Sequence, residues 1–537
     1  DRALLGRAAV VGLVFYAGAV AELSPDGADI GKRIQQLVRR DLVRPDRSDL
    51  PGEEAFRFHH GLLRDAAYQM LPKEARADLH ERFATWLGTH QGMVDADEFI
   101  GYHLERAHAY RLELGPEDER SRGLAERAAE RLSAAARRAY ERADNAATEV
   151  LARRSAALWN PDDPRRAWDL IALGSMLISA DHAQEAQEAF GEALRIARAN
   201  GDERCEAHAL LGEASARGLV DPEGSSAEIA ALIDRLLPRF EEWGDERGLG
   251  VAYFLRSQLS WNSCEFARAR EFAAMGLPHA RAAGDGMFER SAIVTRVIAG
   301  TLGPSSVEQI MADVDELESM ALPSVRGLTF MSRSAVLAFT GRYEEARRMW
   351  ELGRDALREI FGHEPAGPFE SRWRIETVAG DAEAALEYIR IGYDRLMSYG
   401  DLAHASTSAV NLAISSYDLG RYDDAWRWAE ECRRMSASDD AINQYQWRAV
   451  EAKLHAREGR FDEADVLIAE AVELSDRTDE FLGRSLVAFA EAEIAVMAGH
   501  TADAMAALRR ALALAEQKGA TAMAERARQR MAELDAR

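Results

Sequence analysis

Five short stretches recur in the second half of the chain and decide its fold: GRYEEA (341–346), GDAEAA (380–385), GRYDDA (420–425), GRFDEA (459–464) and GHTADA (499–504). Their first residues are spaced 39, 40, 39 and 40 residues apart. Two steps of the same size before Gly341 lies Asn262, and two further steps before it lies Asp181. The units between these positions are more divergent and are expected near Gly303 and Gly224. A fixed period of this size is the signature of a repeat architecture, so we predict a repeat array.

Each repeat is predicted to be a pair of antiparallel helices. The chain is rich in Ala, Leu, Arg and Glu, with apolar residues three or four positions apart, which is typical of amphipathic helices. Glycine suits the turn within a pair, an aromatic such as Tyr343 fills the gap beside it, and Ala346 permits close helix approach. Each pair leaves an apolar face that a neighbour must cover, so we expect nine stacked pairs from about residue 180.

The first 90 residues do not follow this period. They predict a helix over Leu4–Leu23, a second over Ile30–Arg40, two strands in LVRP and AFRFH around a polar loop, and then two more helices. This order is typical of a winged helix. The predicted fold class is all-α, a solenoid of helix pairs preceded by a small winged-helix domain with a short β-hairpin. The predicted domains are a winged helix (1–90), a helical connector (91–140) and repeats (141–537).

Composition excludes several classes of function. The 537 residues include 67 Lys and Arg against 91 Asp and Glu, a net charge of −24, which argues against a protein that coats nucleic acid or anionic membrane. The apolar run Ala8–Ala21 is shorter than the roughly 20 residues that span a bilayer, so we expect a buried helix. Three cysteines without a CxxC motif fit a reducing compartment, and we expect a cytoplasmic protein.

Catalytic signatures are missing from the sequence. The nearest string to a Walker A loop, Gly27–Arg33, has too few residues between its glycines and Arg in place of Ser or Thr. There is no GxSxG, HExxH, CxxC or GxGxxG motif, and His103 and His108 are five residues apart, which suits no helical ligand pair. We therefore expect no catalytic residue, metal or cofactor in this chain.

The Gly-x-Tyr-x-x-Ala pattern resembles the second helix of tetratricopeptide repeats, although the period is five or six residues longer than the usual 34 or so. Aligning the units by their turn glycine puts Ser332, Ser371 and Asn411 at equivalent first-helix positions. In tetratricopeptide superhelices this position faces the groove, so the resemblance implies that these three residues bond the backbone of a protein or peptide partner.

A second resemblance lies in FRFHHGLLRDAAYQMLPKEARADLHERFATWL (56–87) and GYHLERAHAYRLELGPEDERSRGLAERAAERL (101–132). These segments look like the region after the ATPase core of STAND-type, AAA-like signalling ATPases, most similar to the actinobacterial kind with an N-terminal class III adenylate or guanylate cyclase domain. The resemblance implies a regulatory sensor arm, with ATP or ADP and Mg²⁺ bound by an upstream core, and allows a homo-oligomer on activation. Because the chain starts at Asp1 and not Met, we expect it to be a fragment.

His60 is the candidate nucleotide-state sensor. The string His59-His60-Gly61 occupies the place of the M-H-D motif of plant-receptor-type STAND proteins, and Leu62-Leu63-Arg64-Asp65 follow it. The resemblance implies that His60 approaches the β-phosphate of ADP, while Gly61 departs from the acidic third position. The alternative is a histidine at the wing's end that bonds the backbone.

An alternative function is an ATP-dependent transcriptional regulator, with DNA bound by an upstream domain or by the winged helix. The stretch Lys32–Arg47 carries six basic residues against Asp41 and Asp46, as a DNA-reading helix would. The resemblance to STAND-type ATPases implies instead that this face contacts the ATPase core. A LuxR-type regulator would carry its helix-turn-helix after the repeats, whereas the last predicted repeat runs to Met531, so we expect an N-terminal effector.

Overall fold

The computed structural model describes residues 1–24, 29–90, 96–142, 144–179, 182–220, 225–320, 323–361, 364–437 and 440–536. The described chain is helical apart from one small sheet and the connecting turns. It divides into two compact units, Asp1–Leu232 and Ile233–Arg537. The predicted turn positions Asp181 and Gly224, and Gly27 of the rejected phosphate loop, lie outside the described residues.

The first unit begins with a small mixed α/β arrangement. Its elements are α1 (Arg2–Val11), β1 (Val14–Tyr16), α2 (Ala17–Glu22), α3 (Ile30–Arg39), β2 (Val43–Asp46), β3 (Ala55–Phe58), α4 (Gly61–Gln69) and α5 (Lys73–Gly88). The strands form an antiparallel sheet in the order β1-β3-β2, with Phe56 opposite both Phe15 and Pro45. Phe15, Phe58 and Leu37 are buried in the core beneath the sheet.

The predicted helix over Leu4–Leu23 is wrong. Gly12 ends α1, and the next residues form β1 before the chain returns to helix in α2. A short apolar run is ambiguous between helix and strand. Here the β-branched and aromatic residues Val14, Phe15 and Tyr16 pair with β3, and that tertiary partner decides the outcome.

Helices complete the first unit. They are α6 (Ala96–Leu114), α7 (Glu119–Glu141), α8 (Asn145–Leu158), α9 (Pro164–Ser179), α10 (Ala183–Asn200), α11 (Glu203–Val220) and α12 (Ser225–Trp243), the last of which crosses the boundary between the units. Successive helices from α6 to α11 pack as neighbours. Phe190 of α10 is buried beside Gly174 and Gly212, whose missing side chains leave room for its ring.

The second unit consists of stacked helix pairs. Its helices after α12 are α13 (Glu246–Asn262), α14 (Phe266–Ala282), α15 (Gly286–Leu302), α16 (Val307–Ser319), α17 (Pro323–Phe339), α18 (Tyr343–Phe361), α19 (Gly367–Ala379), α20 (Ala382–Tyr399), α21 (Leu402–Asp418), α22 (Tyr422–Met435), α23 (Ala441–Arg457), α24 (Phe461–Asp476), α25 (Phe481–Met497), α26 (Thr501–Lys518) and α27 (Thr521–Asp535). The odd-numbered helices up to α25 are the first helices of their pairs, and this arrangement is TPR-like.

The turn glycines lie where the repeat pattern predicts them. Gly341, Gly380, Gly420, Gly459 and Gly499 all separate the two helices of a pair and have φ between 72° and 81°. This left-handed conformation has almost no cost for glycine, which is why the glycine recurs. The prediction that these glycines lie in turns within helix pairs is confirmed.

Two earlier turns differ from the projected pattern. Asn262 is the last residue of α13, and the positive φ of that turn belongs to Cys264 at 54°, two residues later. Gly303 has an extended φ of −87°, and α16 begins after a capping box on Ser306. The projection from Asn262 therefore placed the turn two residues too early.

First helices of neighbouring pairs contact each other within the second unit, as α17 does with α19, and α21 with α23. The last helix, α27, contacts both α17 and α19. The first helices therefore form the inner layer of this unit. Among the described residues, no helix has the length and apolar character needed to cross a membrane.

Candidate binding cleft

The inner layer of the second unit presents the predicted row of polar residues. Ser332 on α17, Ser371 on α19 and Asn411 on α21 each precede their turn glycine by nine residues. Ser332 and Asn411 are buried and Ser371 is half-buried. All three line cavities.

An apolar cavity of about 440 Å³ receives Ser332 and Ser371. Aliphatic and aromatic side chains form most of its wall, among them Leu302, Leu328, Met331, Phe339, Phe481 and Leu482. A volume of this size lies within the range of about 300–1,000 Å³ typical of small-ligand pockets. The two serine hydroxyls lie in this mainly apolar wall, together with the polar residues Thr301, Glu370, Arg374 and Glu480.

A more polar cavity of about 410 Å³ receives Asn411. Thr407 and Gln446, which lie one helical turn before the row on α21 and α23, also line it, together with Trp373. Within the described chain, both amide atoms of Asn411 and the Oε1 atom of Gln446 are buried without a hydrogen-bond partner. Buried amides are normally paired, so these atoms are suited to bonding a ligand that enters the cavity.

An ion-pair cluster lies where the two cavities meet. Arg374 pairs with Glu370 at 2.9 Å and with Glu480 at 3.1 Å, and both cavities share all three residues. Burial opposes ionisation of Arg374, but the two carboxylates outweigh it and raise its pKa. Glu480 also accepts hydrogen bonds from the amides of Leu482 and Gly483, so it is held rigidly at the start of α25.

Asp479 and Lys518 make long-range contacts that hold the helices around the cleft together. The carboxylate of Asp479 accepts hydrogen bonds from the amides of Phe266 and Ala267 at 2.6 and 2.7 Å, and so caps α14. The buried ammonium of Lys518 donates to carbonyl oxygens at the end of α15. Sequence reasoning missed Asp479, Lys518 and the pairing of Arg374 with Glu480, because these partners lie far apart in the chain.

His60 lies on the surface of the first unit. It is exposed and is the N-cap residue of α4, but its side chain makes no capping hydrogen bond. Its ring packs edge-on against His59, with the centroids 4.8 Å apart. Within the described chain the imidazole makes no capping bond to the backbone of α4, and its role as a nucleotide sensor stays a prediction.

His80, His103, His108 and the cysteines have structural environments. His103 bonds His80, with 2.7 Å between their Nδ1 atoms, and His108 bonds the carbonyl oxygen of Ser121. In the described part of the chain, no cluster of three or more His, Cys, Asp or Glu residues could hold a metal ion. All three cysteines are buried, and burial raises the pKa of each thiol to about 12, which suppresses the reactive thiolate.

Comparison with solved structures returned repeat proteins of similar architecture. A Rap protein complexed with competence and sporulation factor shares 13% identity over 70% of this chain and 98% of its own, with a TM-score of 0.47. A STAND protein with a tetratricopeptide repeat sensor, from Pyrococcus horikoshii, shares 13% identity over 88% of this chain and has a TM-score of 0.48. This chain spans 65% of that protein's length.

A third structure, NprR in complex with its cognate peptide NprX, shares 12% identity over 45% of this chain and 71% of its own, with a TM-score of 0.37. These likenesses concern the fold and not the ligand. No protein family model matches the sequence, and the search of curated proteins found no match.

Proposed function

We propose that this chain is the sensor arm of a cytoplasmic STAND-type signalling ATPase, and that the cleft of its second unit binds a peptide segment of a protein partner. The observation that carries the proposal is Asn411, a buried amide whose two polar atoms have no partner among the described residues and which lines a cavity on the inner layer. Leaving such a group unpaired costs about 1–3 kcal/mol, which a bound peptide backbone would recover.

The test uses the full chain and a library of random hexapeptides, acetylated and amidated at their ends. Binding is measured by fluorescence anisotropy for the wild type, for Asn411→Leu and for a control, Ser398→Ala, which changes an exposed hydroxyl of α20 that bonds only its own helix within the described chain. We expect binding to the wild type and the control, and a loss of at least about tenfold with Asn411→Leu. Absence of binding to the wild type would refute the proposal.

Residues 1–90 are proposed to act as a winged helix that docks on the upstream ATPase core. The order α1, β1, α2, α3, β2, β3 supports this, since three helices precede an antiparallel β2–β3 hairpin that β1 extends. An exposed His60 imidazole at the end of that hairpin fits a phosphate oxygen as acceptor. ATP or ADP and Mg²⁺ would bind in the core, and this chain would carry no catalysis of its own.

Full-length parent protein tests the role of His60. His60→Ala is expected to speed ADP release about tenfold, since charge-assisted hydrogen bonds contribute about 1.5–3 kcal/mol. The control is His182→Ala, which changes an exposed histidine that precedes α10. An ADP off-rate equal to that of the wild type would refute a phosphate contact by His60.

The family resemblance of residues 53 to 140 supports a nucleotide cyclase as the effector of the parent, and cyclic-nucleotide production by the full-length protein tests it. The alternative, DNA binding by the winged helix, is favoured by exposed arginines at the end of α3 and on β2, namely Arg39, Arg40 and Arg44. Salt-dependent binding of duplex DNA that is lost in Arg39→Gln with Arg44→Gln would support that alternative.

A further inference from the structure

The two cavities of the cleft are one continuous binding surface. Both are lined by the Arg374 cluster and by Leu302 and Leu482. A ligand lying across this junction would therefore meet an apolar wall on one side, and the amides of Asn411 and Gln446 on the other.

The charge of this surface is unbalanced. Among the described residues that line the two cavities, the formally charged groups are the carboxylates of Glu370, Asp440 and Glu480 and a single guanidinium, that of Arg374. A ligand that brought a further carboxylate would meet like charge, which is costly at a partly buried site. A cationic group would reduce the excess of negative charge.

Glu370 is the carboxylate best placed to receive a cation. Glu480 is almost fully buried and already accepts from Leu482, Gly483 and Tyr445. Asp440 caps α23 by accepting from the amide of Asn443. By contrast, the Glu370 side chain is 34% exposed, and Arg374 is its ion-pair partner in the described chain.

We infer that the cleft selects an extended peptide in which a basic side chain lies beside Glu370 and an apolar side chain two residues away fills the adjoining apolar cavity. The inference rests on the proposed function of the cleft. In an extended segment, residues i and i+2 point to the same side, about 6.6 Å apart, so both can enter a continuous surface. The cleft continues on both sides of Glu370, which favours an internal basic side chain over a chain terminus.

The experiment screens the full chain against acetylated, amidated hexapeptide libraries, each with one position fixed. The best binder is then made with its Lys or Arg replaced by norleucine, which keeps the aliphatic stem, and by Glu. We expect norleucine to weaken binding about tenfold, the gain expected from one charge-assisted hydrogen bond. Glu should weaken it further.

Matched variants locate the effect. Glu370→Gln should weaken binding of the basic peptide about tenfold and leave the norleucine peptide unchanged, so that the two changes are not additive. Glu387→Gln, which removes an exposed carboxylate of α20, is the control. Thermal unfolding followed by circular dichroism checks that both variants are folded.

The outcomes distinguish failure of this inference from failure of the proposed peptide binding. If no library binds, the proposed function fails. If peptides bind without preference for Lys or Arg, or if the preference persists in Glu370→Gln, this inference is overturned while peptide binding stands. If only a parallel library with a free amino terminus binds, the cation belongs to the chain end and the side-chain assignment is wrong.

Discussion

The ammonium of Lys518 lies 2.6 Å from the carbonyl oxygen of Gly300, 218 residues away in the chain. It also donates to the carbonyls of Thr301 and Gly303 at 3.0 and 2.5 Å, so its three N–H groups match three acceptors at the end of α15. The side chain is fully buried beside the rings of Phe339 and Phe481. One residue of the last repeat thus closes the second unit on itself.

Replacing Lys518 by Met should destabilise the second unit by about 2 kcal/mol at pH 7. Methionine keeps the aliphatic stem but leaves the helix-end carbonyls without their buried donor. Chemical denaturation followed by circular dichroism measures the change. Lys32→Met, which removes a largely exposed lysine of α3, should leave the unfolding midpoint unchanged. Equal midpoints for Lys518→Met and the wild type would show that the contacts of Lys518 do not stabilise the unit.

The stabilising effect of Lys518 should depend on pH. Burial lowers its pKa from 10.5 to about 7. Between these values the unfolded chain binds a proton that the folded chain does not, so stability should rise with pH from about 7 to about 10.5. The slope should be absent from Lys518→Met. Parallel pH profiles for the two proteins would contradict this assignment.

Asn411→Leu should stabilise the protein while it impairs binding. The leucine side chain is similar in size and removes two buried polar atoms that have no partner in the described chain. The expected gain in the free energy of unfolding is about 1 kcal/mol. Thermal unfolding measures stability, and the hexapeptide library measures binding. A destabilised Asn411→Leu would mean that the amide is needed for folding and not held ready for a ligand.

Two glycine substitutions should have opposite effects on stability. Gly380 has a φ of 80° and no atom within 4 Å of an added Cβ, so Gly380→Ala suffers only from the backbone conformation and should cost about 1 kcal/mol. Gly123, inside α7, also has open space at that position but no positive φ. Gly123→Ala should add about 0.5–1 kcal/mol, since alanine favours helix. The denaturant midpoint should fall for Gly380→Ala and rise for Gly123→Ala.

The first unit should lose stability in acid through its buried histidine pair. Burial lowers the pKa of His103 from 6.5 to about 3. As the pH falls from about 6.5 to about 3, His103 binds a proton in the unfolded chain but not in the folded chain. The free energy of unfolding therefore falls by up to about 1.4 kcal/mol per pH unit. His103→Leu should show a shallower acid limb in urea unfolding, whatever its stability at neutral pH. An unchanged slope would contradict the assignment.

Much of the repeat fold follows from local pattern. The helices and the turns at Gly341, Gly380, Gly420 and Gly459 depend on apolar spacing and on a glycine conformation, both of which can be identified within one repeat. The same periodicity placed Ser332, Ser371 and Asn411 in register, and the structure shows them lining the cleft. Their role in binding stays a prediction.

Local pattern failed where a distant partner decides the structure. Val14–Tyr16 lies in an apolar run that suits a helix, and it becomes a strand because β3 offers a pairing edge. The turn near Asn262 shifted to Cys264, a residue without the glycine signal, whose carbonyl accepts from the amide of Asp479. Neither partner could be inferred from the neighbouring residues.

The sequence by itself determined that the second half of this chain forms helix pairs with glycine turns, because those features depend on interactions within a few residues. Only the tertiary structure decided the chemistry of the cleft. Arg374 meets Glu480 across 106 residues, and Lys518 meets Gly300 across 218. The stacking of successive pairs brings such residues together. It also buries the Asn411 amide without a hydrogen-bond partner in the described chain. Burial and hydrogen bonding depend on the whole packed unit and not on any one repeat.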